Sequence, residues 1–150
     1  MKALKSKIKK TDLLIRTRKA QLDQESQKLT VIRNHKISQL AQLKQFQESY
    51  MNGVSSLNIE RQSGDRLKLS TLERSVDYSK SQWYQCLREV KELELQEKAQ
   101  ISQVLVAQRN LKSMEKMQEG YLTNLQSEVS KSEQKSLDEM TVLNFSKRRD

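Results

Sequence analysis

Proline is absent from this chain of 150 residues, and glycine occurs only at Gly53, Gly64 and Gly120. Few positions therefore break a helix, and long uninterrupted helices are favoured. The single cysteine, Cys86, rules out an internal disulfide and fits a reducing, cytosolic setting. One cysteine and one histidine, His35, cannot assemble a usual zinc site. Three isolated glycines make no phosphate-cradling loop. The longest apolar runs are short, such as Leu13-Leu14-Ile15 and residues 104–107, far below the ~20 residues that cross a bilayer. The basic N-terminus has no apolar stretch behind it and does not read as a secretory signal.

Acidic residues are outnumbered. Lys plus Arg exceed Asp plus Glu by 28 to 19, giving a net charge of +9. Much of the excess lies in residues 2–19, where Lys2, Lys5, Lys7, Lys9, Lys10, Arg16, Arg18 and Lys19 oppose Asp12 alone. Such a cluster suits nucleic acid, anionic lipid or an acidic protein surface, or is simply a solvated helix face. Hydrophobic residues form only 35% of the chain and charged residues 31%, which is poor for a compact globule but enough for a narrow seam between helices.

That seam is visible as a repeat. Ile8, Ile15, Leu22, Leu29, Lys36, Leu43, Tyr50 and Leu57 fall at a constant spacing of seven. A strict heptad keeps one stripe of a helix facing a partner helix. A second ladder runs Leu69, Val76, Trp83, Val90, Glu97, Val104, Leu111, with a companion row Leu72, Ser79, Cys86, Leu93, Gln100, Ala107, Met114, Tyr121. The expected fold class is all-α: an antiparallel two-helix coiled-coil hairpin with a C-terminal helical overhang. Residues 1–150 form one domain on this reading. Helix 1 covers about 3–57, the turn about 58–65 around Gly64, and helix 2 about 66–145 with its last part frayed. Asn52-Gly53 is a second candidate helix end.

In antiparallel coils the two seam rows meet each other, which works here if facing residue numbers sum to about 122. Ile8 then faces Met114, Ile15 faces Ala107, Leu29 faces Leu93, Ile32 faces Val90, Phe46 faces Val76 and Tyr50 faces Leu72. A sum one heptad larger is the rival register, ranked second because it shortens the turn. The first register also sets Glu25 against Glu97 and leaves Lys36 as a break in the ladder. Each helix would measure about 75 Å over 50 residues. Residue 1 would lie opposite residue 121, so Leu122, Leu125 and Val129 would find no cover on helix 1. A polar stretch over residues 130–136 leads to Leu137, Met140, Val142, Leu143 and Phe145, then Lys147-Arg148-Arg149. The apolar end reads either as a docking surface or as a frayed tail.

No pocket is expected between two helices to tune the carboxylates, so the chain reads as a non-enzyme with no catalytic residue, cofactor or metal. Cys86 reads as a small seam residue and His35 as a polar flank. Gln39, Leu43, Phe46 and Tyr50 recur at four, three and four residues and form one stripe, with Trp83, Tyr84 and Tyr78 on helix 2. The stripe is either seam packing or a partly exposed contact. Basic residues near aromatics also admit RNA, although no RNA-binding module is recognisable.

Phe46-Gln47-Glu48-Ser49-Tyr50, followed by Thr71-Leu72-Glu73-Arg74-Ser75-Val76, resembles the flagellar FliJ family. So do the single Trp83, the hairpin length, the basic N-terminus and the tail Leu137-Asp138-Glu139. The likeness covers nearly the whole chain. Related injectisome stalks of the YscO type look similar. The resemblance implies a non-enzymatic stalk of the bacterial flagellar type III export apparatus, serving flagellum biogenesis and motility. It implies a cytoplasmic protein, peripheral to the inner membrane at the flagellar base. Implied partners are the export ATPase hexamer, the cytoplasmic domain of the export gate membrane protein, and export chaperones, with no nucleic acid and no membrane span. A gate and chaperone patch would map to Gln39, Leu43, Phe46, Tyr50 and Leu72, although Lys68, Ser75 and Ser79 stand where apolar, small or aromatic neighbours are expected. The ATPase end would comprise Lys5, Lys7, Lys9, Lys10, Leu122, Leu125 and Val129. Isolated, such a stalk should be a monomer. A self-associating coiled-coil scaffold and a basic nucleic-acid binder are the alternatives from the residues alone.

Overall fold

The computed structural model describes residues 1–149 and contains two helices, α1 (Lys2–Ser63) and α2 (Arg66–Arg149). Among the described residues there is no strand, and the fold is an all-α helical hairpin. The buried and half-buried positions reproduce the heptad rows. On α1 they include Ile8, Thr11, Ile15, Leu22, Leu29, Leu43, Tyr50 and Leu57; on α2, Val76, Cys86, Val90, Leu93, Ala107 and Tyr121. Buried hydrophobic residues are few, which is what a two-helix seam allows.

The turn is tighter than the expected 58–65. Residues 58–63 remain helical, and Gly64 and Asp65 alone separate the helices. Gly64 has φ of 79°, the left-handed conformation in which an L side chain is strained. Its N–H donates to the Glu60 carbonyl at 3.2 Å, which closes α1. Asp65 then caps α2. Its Oδ1 accepts from the N–H groups of Leu67 at 3.2 Å and Lys68 at 3.4 Å, two donors the new helix cannot satisfy internally. The other candidate end, Asn52-Gly53, lies within α1. Gly53 instead allows a close helix approach, since a Cβ there would stand 3.1 Å from Val76 Cγ2.

A two-residue turn changes the register. Contacts scatter around a residue-number sum of about 129, so the expected sum of 122 is wrong by one heptad and the rival register is the real one. Contacts divide into two units, residues 25–104 and residues 1–24 with the chain from 105 onward. In the first unit Lys36 Nζ meets Glu97 at 3.4 Å, Gln100 Nε2 donates to the Glu25 carbonyl at 2.9 Å and to its carboxylate, and the Cys86 thiol approaches the Gln39 carbonyl at 3.5 Å. The expected Glu25 against Glu97 repulsion therefore does not occur, because each carboxylate finds its own polar partner. Lys36 is not an idle break in the ladder but half of an ion pair. In the second unit Gln118 Nε2 bonds to Asp12, and the Met1 ammonium meets Glu128 at 3.4 Å. Residue 1 thus lies level with residue 128, not 121. Leu125 is half-buried, contrary to its expected lack of cover, while Leu122 and Val129 stay exposed. From residue 130 to 148 α2 continues as a helix with every residue exposed.

Candidate functional site

Two regions hold the residues singled out by the sequence. The unit of residues 25–104 contains Gln39, Leu43, Phe46, Tyr50 and Leu72. All five are half-buried because they belong to the heptad rows, so the hairpin covers much of their area and leaves their edges to solvent. Tyr50 is held by Trp83, with ring centroids 5.4 Å apart and planes at 31°, and Trp83 in turn stacks on Tyr84 at 5.4 Å. Such offset aromatic pairs fix ring orientation as well as burying area. Lys68 and Ser75 are exposed and Ser79 is half-buried.

The fuller apolar exposure in this unit lies elsewhere. Leu67 is 84% exposed immediately after the turn and lines an open groove with Lys68, Thr71 and Leu72. Ile59 and Met51 are also exposed. A search by heptad row misses them, since they stand outside both rows. Their signal was an apolar residue at a non-seam position.

Cys86 and His35 lie in the same unit. Cys86 is buried in the seam. Burial pushes its thiol pKa up, and the neighbouring Glu89 charge adds to the rise, which is the opposite of what a nucleophilic thiolate needs. His35 borders a groove with Gln39, Glu89, Glu92, Leu93 and Gln96. Among the described residues no group of three or more histidine, cysteine or acidic side chains is placed to hold a metal ion.

The second unit carries the charge. Lys2, Lys5, Lys7, Lys9 and Lys10 are exposed around the first turns of α1. Lys7 Nζ sits 5.6 Å from the Tyr121 ring centroid on α2, a cation–π contact across the seam. Thr11 is buried beneath them, donating its hydroxyl to the Ile8 carbonyl at 2.9 Å. Leu122, Leu125 and Val129 share this unit with the lysines, and only Leu125 turns into the seam. Beyond them the exposed helix presents Leu137, Met140, Val142, Leu143 and Phe145. Val142 and Leu143 line a groove with Lys135, Asp138 and Glu139. Consecutive residues of a helix are 100° apart, so these five side chains point to several sides and not along one stripe. Among the described residues no helix is long and apolar enough to cross a membrane.

The geometry of the described residues offers surfaces and open grooves. Comparison with curated proteins finds no match, and comparison with solved structures finds none either. The family model described as flagellar FliJ protein matches residues 8–150, nearly the whole chain. The chain belongs to the flagellar FliJ protein family, and is on that ground a flagellar export-related protein.

Proposed function

We propose that this chain is a non-enzymatic coiled-coil stalk of the flagellar type III export apparatus, which binds the export ATPase hexamer, promotes its activity and links it to the export gate and export chaperones. The observation that carries this reading is the continuation of α2 past residue 129 as a fully exposed helix with apolar side chains on several sides. Exposed apolar side chains on several sides of one helix suit a partner that reaches more than one of its faces. A ring-shaped partner does so, and the lysines of the same unit suit an acidic lining. The half-buried aromatic stripe of Gln39, Leu43, Phe46, Tyr50 and Leu72 is the surface for the gate and chaperones. On this reading the protein acts on the cytoplasmic side of the flagellar base, peripheral to the inner membrane.

The test is stimulation of the purified export ATPase. Charge reversal of Lys5, Lys7, Lys9 and Lys10 to glutamate removes most of the stimulation while helicity stays intact. Unchanged stimulation rejects the lysine cluster as the ATPase contact. Phe46→Ala with Tyr50→Ala, in protein shown to be helical, keeps stimulation and weakens binding to the gate's cytoplasmic domain.

A further inference from the structure

The stretch of α2 beyond residue 129 carries one face whose residue types are symmetric about a centre. From residue 130 to 148 the helix is exposed throughout. Among its apolar side chains, Leu137, Met140 and Leu143 recur at intervals of three, which sets them within an arc of about 120°. They are 59%, 61% and 61% exposed. Ser136 and Asn144 share that arc, and Glu133 and Lys147 close it at its two ends. Met140 is the centre. Leu137 and Leu143 lie three residues to either side of it, Ser136 and Asn144 four, and Glu133 and Lys147 seven. The end charges alone break the symmetry, with the acid before the centre and the base after it.

An antiparallel contact between two identical helices requires this pattern. Two-fold symmetry sets one residue against a second, and the second against the first, in the same interface. With Met140 on the axis, Leu137 meets the second copy's Leu143, Ser136 meets Asn144, and Glu133 meets Lys147, each twice. The other charges of the stretch are placed as follows by the helical period. Lys131, Lys135 and Asp138 lie on the far side with Val142 and Phe145. Arg148 stands at one edge of the face, within reach of the second copy's Glu133. Glu139 stands at the other edge, near its own counterpart across the axis, where solvent screens the like charges. Two acid–base ends therefore outweigh one screened repulsion. Among the described residues the ion pairs are Met1 with Glu128, Lys28 with Glu25 and Lys36 with Glu97, and none uses Glu133 or Lys147.

We propose that the C-terminal stretches of two copies pair antiparallel about Met140, so that the free protein covers its own exposed helix. A parallel pair would set Glu133 against Glu133 and Lys147 against Lys147. An anionic lipid surface would face Glu133 in the middle of its contact. A second copy gives each end its opposite charge and each leucine an apolar neighbour. The paired stretch is about 30 Å long, so the contact falls below the ~1,200 Å² of stable interfaces and is a weak one. Dilute protein is then a monomer and concentrated protein a dimer. The inference goes beyond the stalk reading and needs no export ATPase. A second copy and a ring-shaped partner would exclude one another on this stretch.

Sedimentation equilibrium of the full-length chain, between about 5 and 500 µM, tests it. The mass should rise from 17.6 kDa toward twice that value and stop there. Glu133→Lys and Lys147→Glu should each weaken pairing about fivefold, because each sets like charges together at both ends. The double variant E133K, K147E should regain it. An equimolar mixture of the two single variants should regain it as well, since their heterodimer pairs opposite charges at both ends. Met140→Glu, which puts two carboxylates on the axis, should abolish it. Met140→Cys should give a disulfide-linked dimer on mild oxidation, and Val142→Cys, on the far side, should not. The substituted side chains are all exposed, so circular dichroism should show wild-type helicity. A single variant that had merely lost its helix would not recover on mixing. The proposal is overturned if the mass stays at 17.6 kDa or grows past twice that value. It is also overturned if the single variants pair like wild type, if their mixture fails to recover, or if Val142→Cys cross-links as well as Met140→Cys. A chain that stays monomeric and binds phosphatidylglycerol vesicles through Met140 would have a lipid surface as the occupant, which overturns it too.

Discussion

At the residue scale, Cys86 shows how a lone chemical group is turned into a structural one. It is buried where the rows of α1 and α2 meet, with its sulfur 3.5 Å from both the carbonyl and the side-chain oxygen of Gln39. Burial first, and the Glu89 charge second, raise its thiol pKa. A raised value in the folded state means that folding favours the protonated thiol. The stabilising contribution is therefore full below the ordinary thiol pKa and is lost as pH rises through the folded-state value. Stability of the wild-type protein should fall across this alkaline window more steeply than that of Cys86→Ala. Urea unfolding of both proteins at a series of pH values checks this, since lysine titration is common to the two and cancels in the comparison. Parallel pH profiles would mean that the thiol titrates alike in both states. The thiol should also react slowly with alkylating reagents at neutral pH.

At the element scale, both helices were legible because nothing in the chain breaks them and the heptad rows run through almost every turn. The rows from Ile8 to Leu57 and from Leu69 to Tyr121 are those that the structure buries or half-buries. What was not legible was the partner of each polar seam residue. Lys36 looked like an interruption and Glu25 like a source of repulsion, because a heptad row shows which face is inward but not what stands across from it. In the structure Lys36 and Glu97 pair at 3.4 Å, with side chains 25% and 20% exposed. Lys36→Glu should therefore destabilise the hairpin by about 1 kcal/mol, with two carboxylates confined at one half-buried position. Adding Glu97→Lys should restore most of the loss. A double-mutant cycle by urea unfolding measures it, and additive single effects would show that the pair is uncoupled.

At the scale of the whole molecule, the decisive unknown was the number of residues in the turn, since each change of one heptad re-pairs every layer of the hairpin. The end of the first ladder at Leu57 favoured a turn over residues 58–65. The local chemistry of Gly64 and Asp65 allows two, because the glycine accepts φ of 79° and the aspartate caps the next helix at once. Continuing α1 to Ser63 adds further turns to the helix and brings Leu57 into the core, so the shorter connection wins on burial as well. The same shift moves the start of the exposed C-terminal helix to about residue 129 and thereby fixes how much of α2 a partner can reach. Candidate surfaces were legible only in part for this reason: the lysine cluster is read directly, whereas the exposure of Leu122, Leu125 and Val129 depends on register. Cross-linking tests the register through the native thiol. Gln39→Cys places a second sulfur next to Cys86, because the Gln39 carbonyl is 3.5 Å from Cys86 Sγ. Mild oxidation should give an intramolecular disulfide, visible as faster migration under non-reducing conditions. Lys36→Cys, which faces Cys86 only if numbers sum to about 122, should remain reduced under the same treatment. Efficient closure of Lys36→Cys with Cys86, and none with Gln39→Cys, would restore the longer turn and return Leu125 to the exposed overhang.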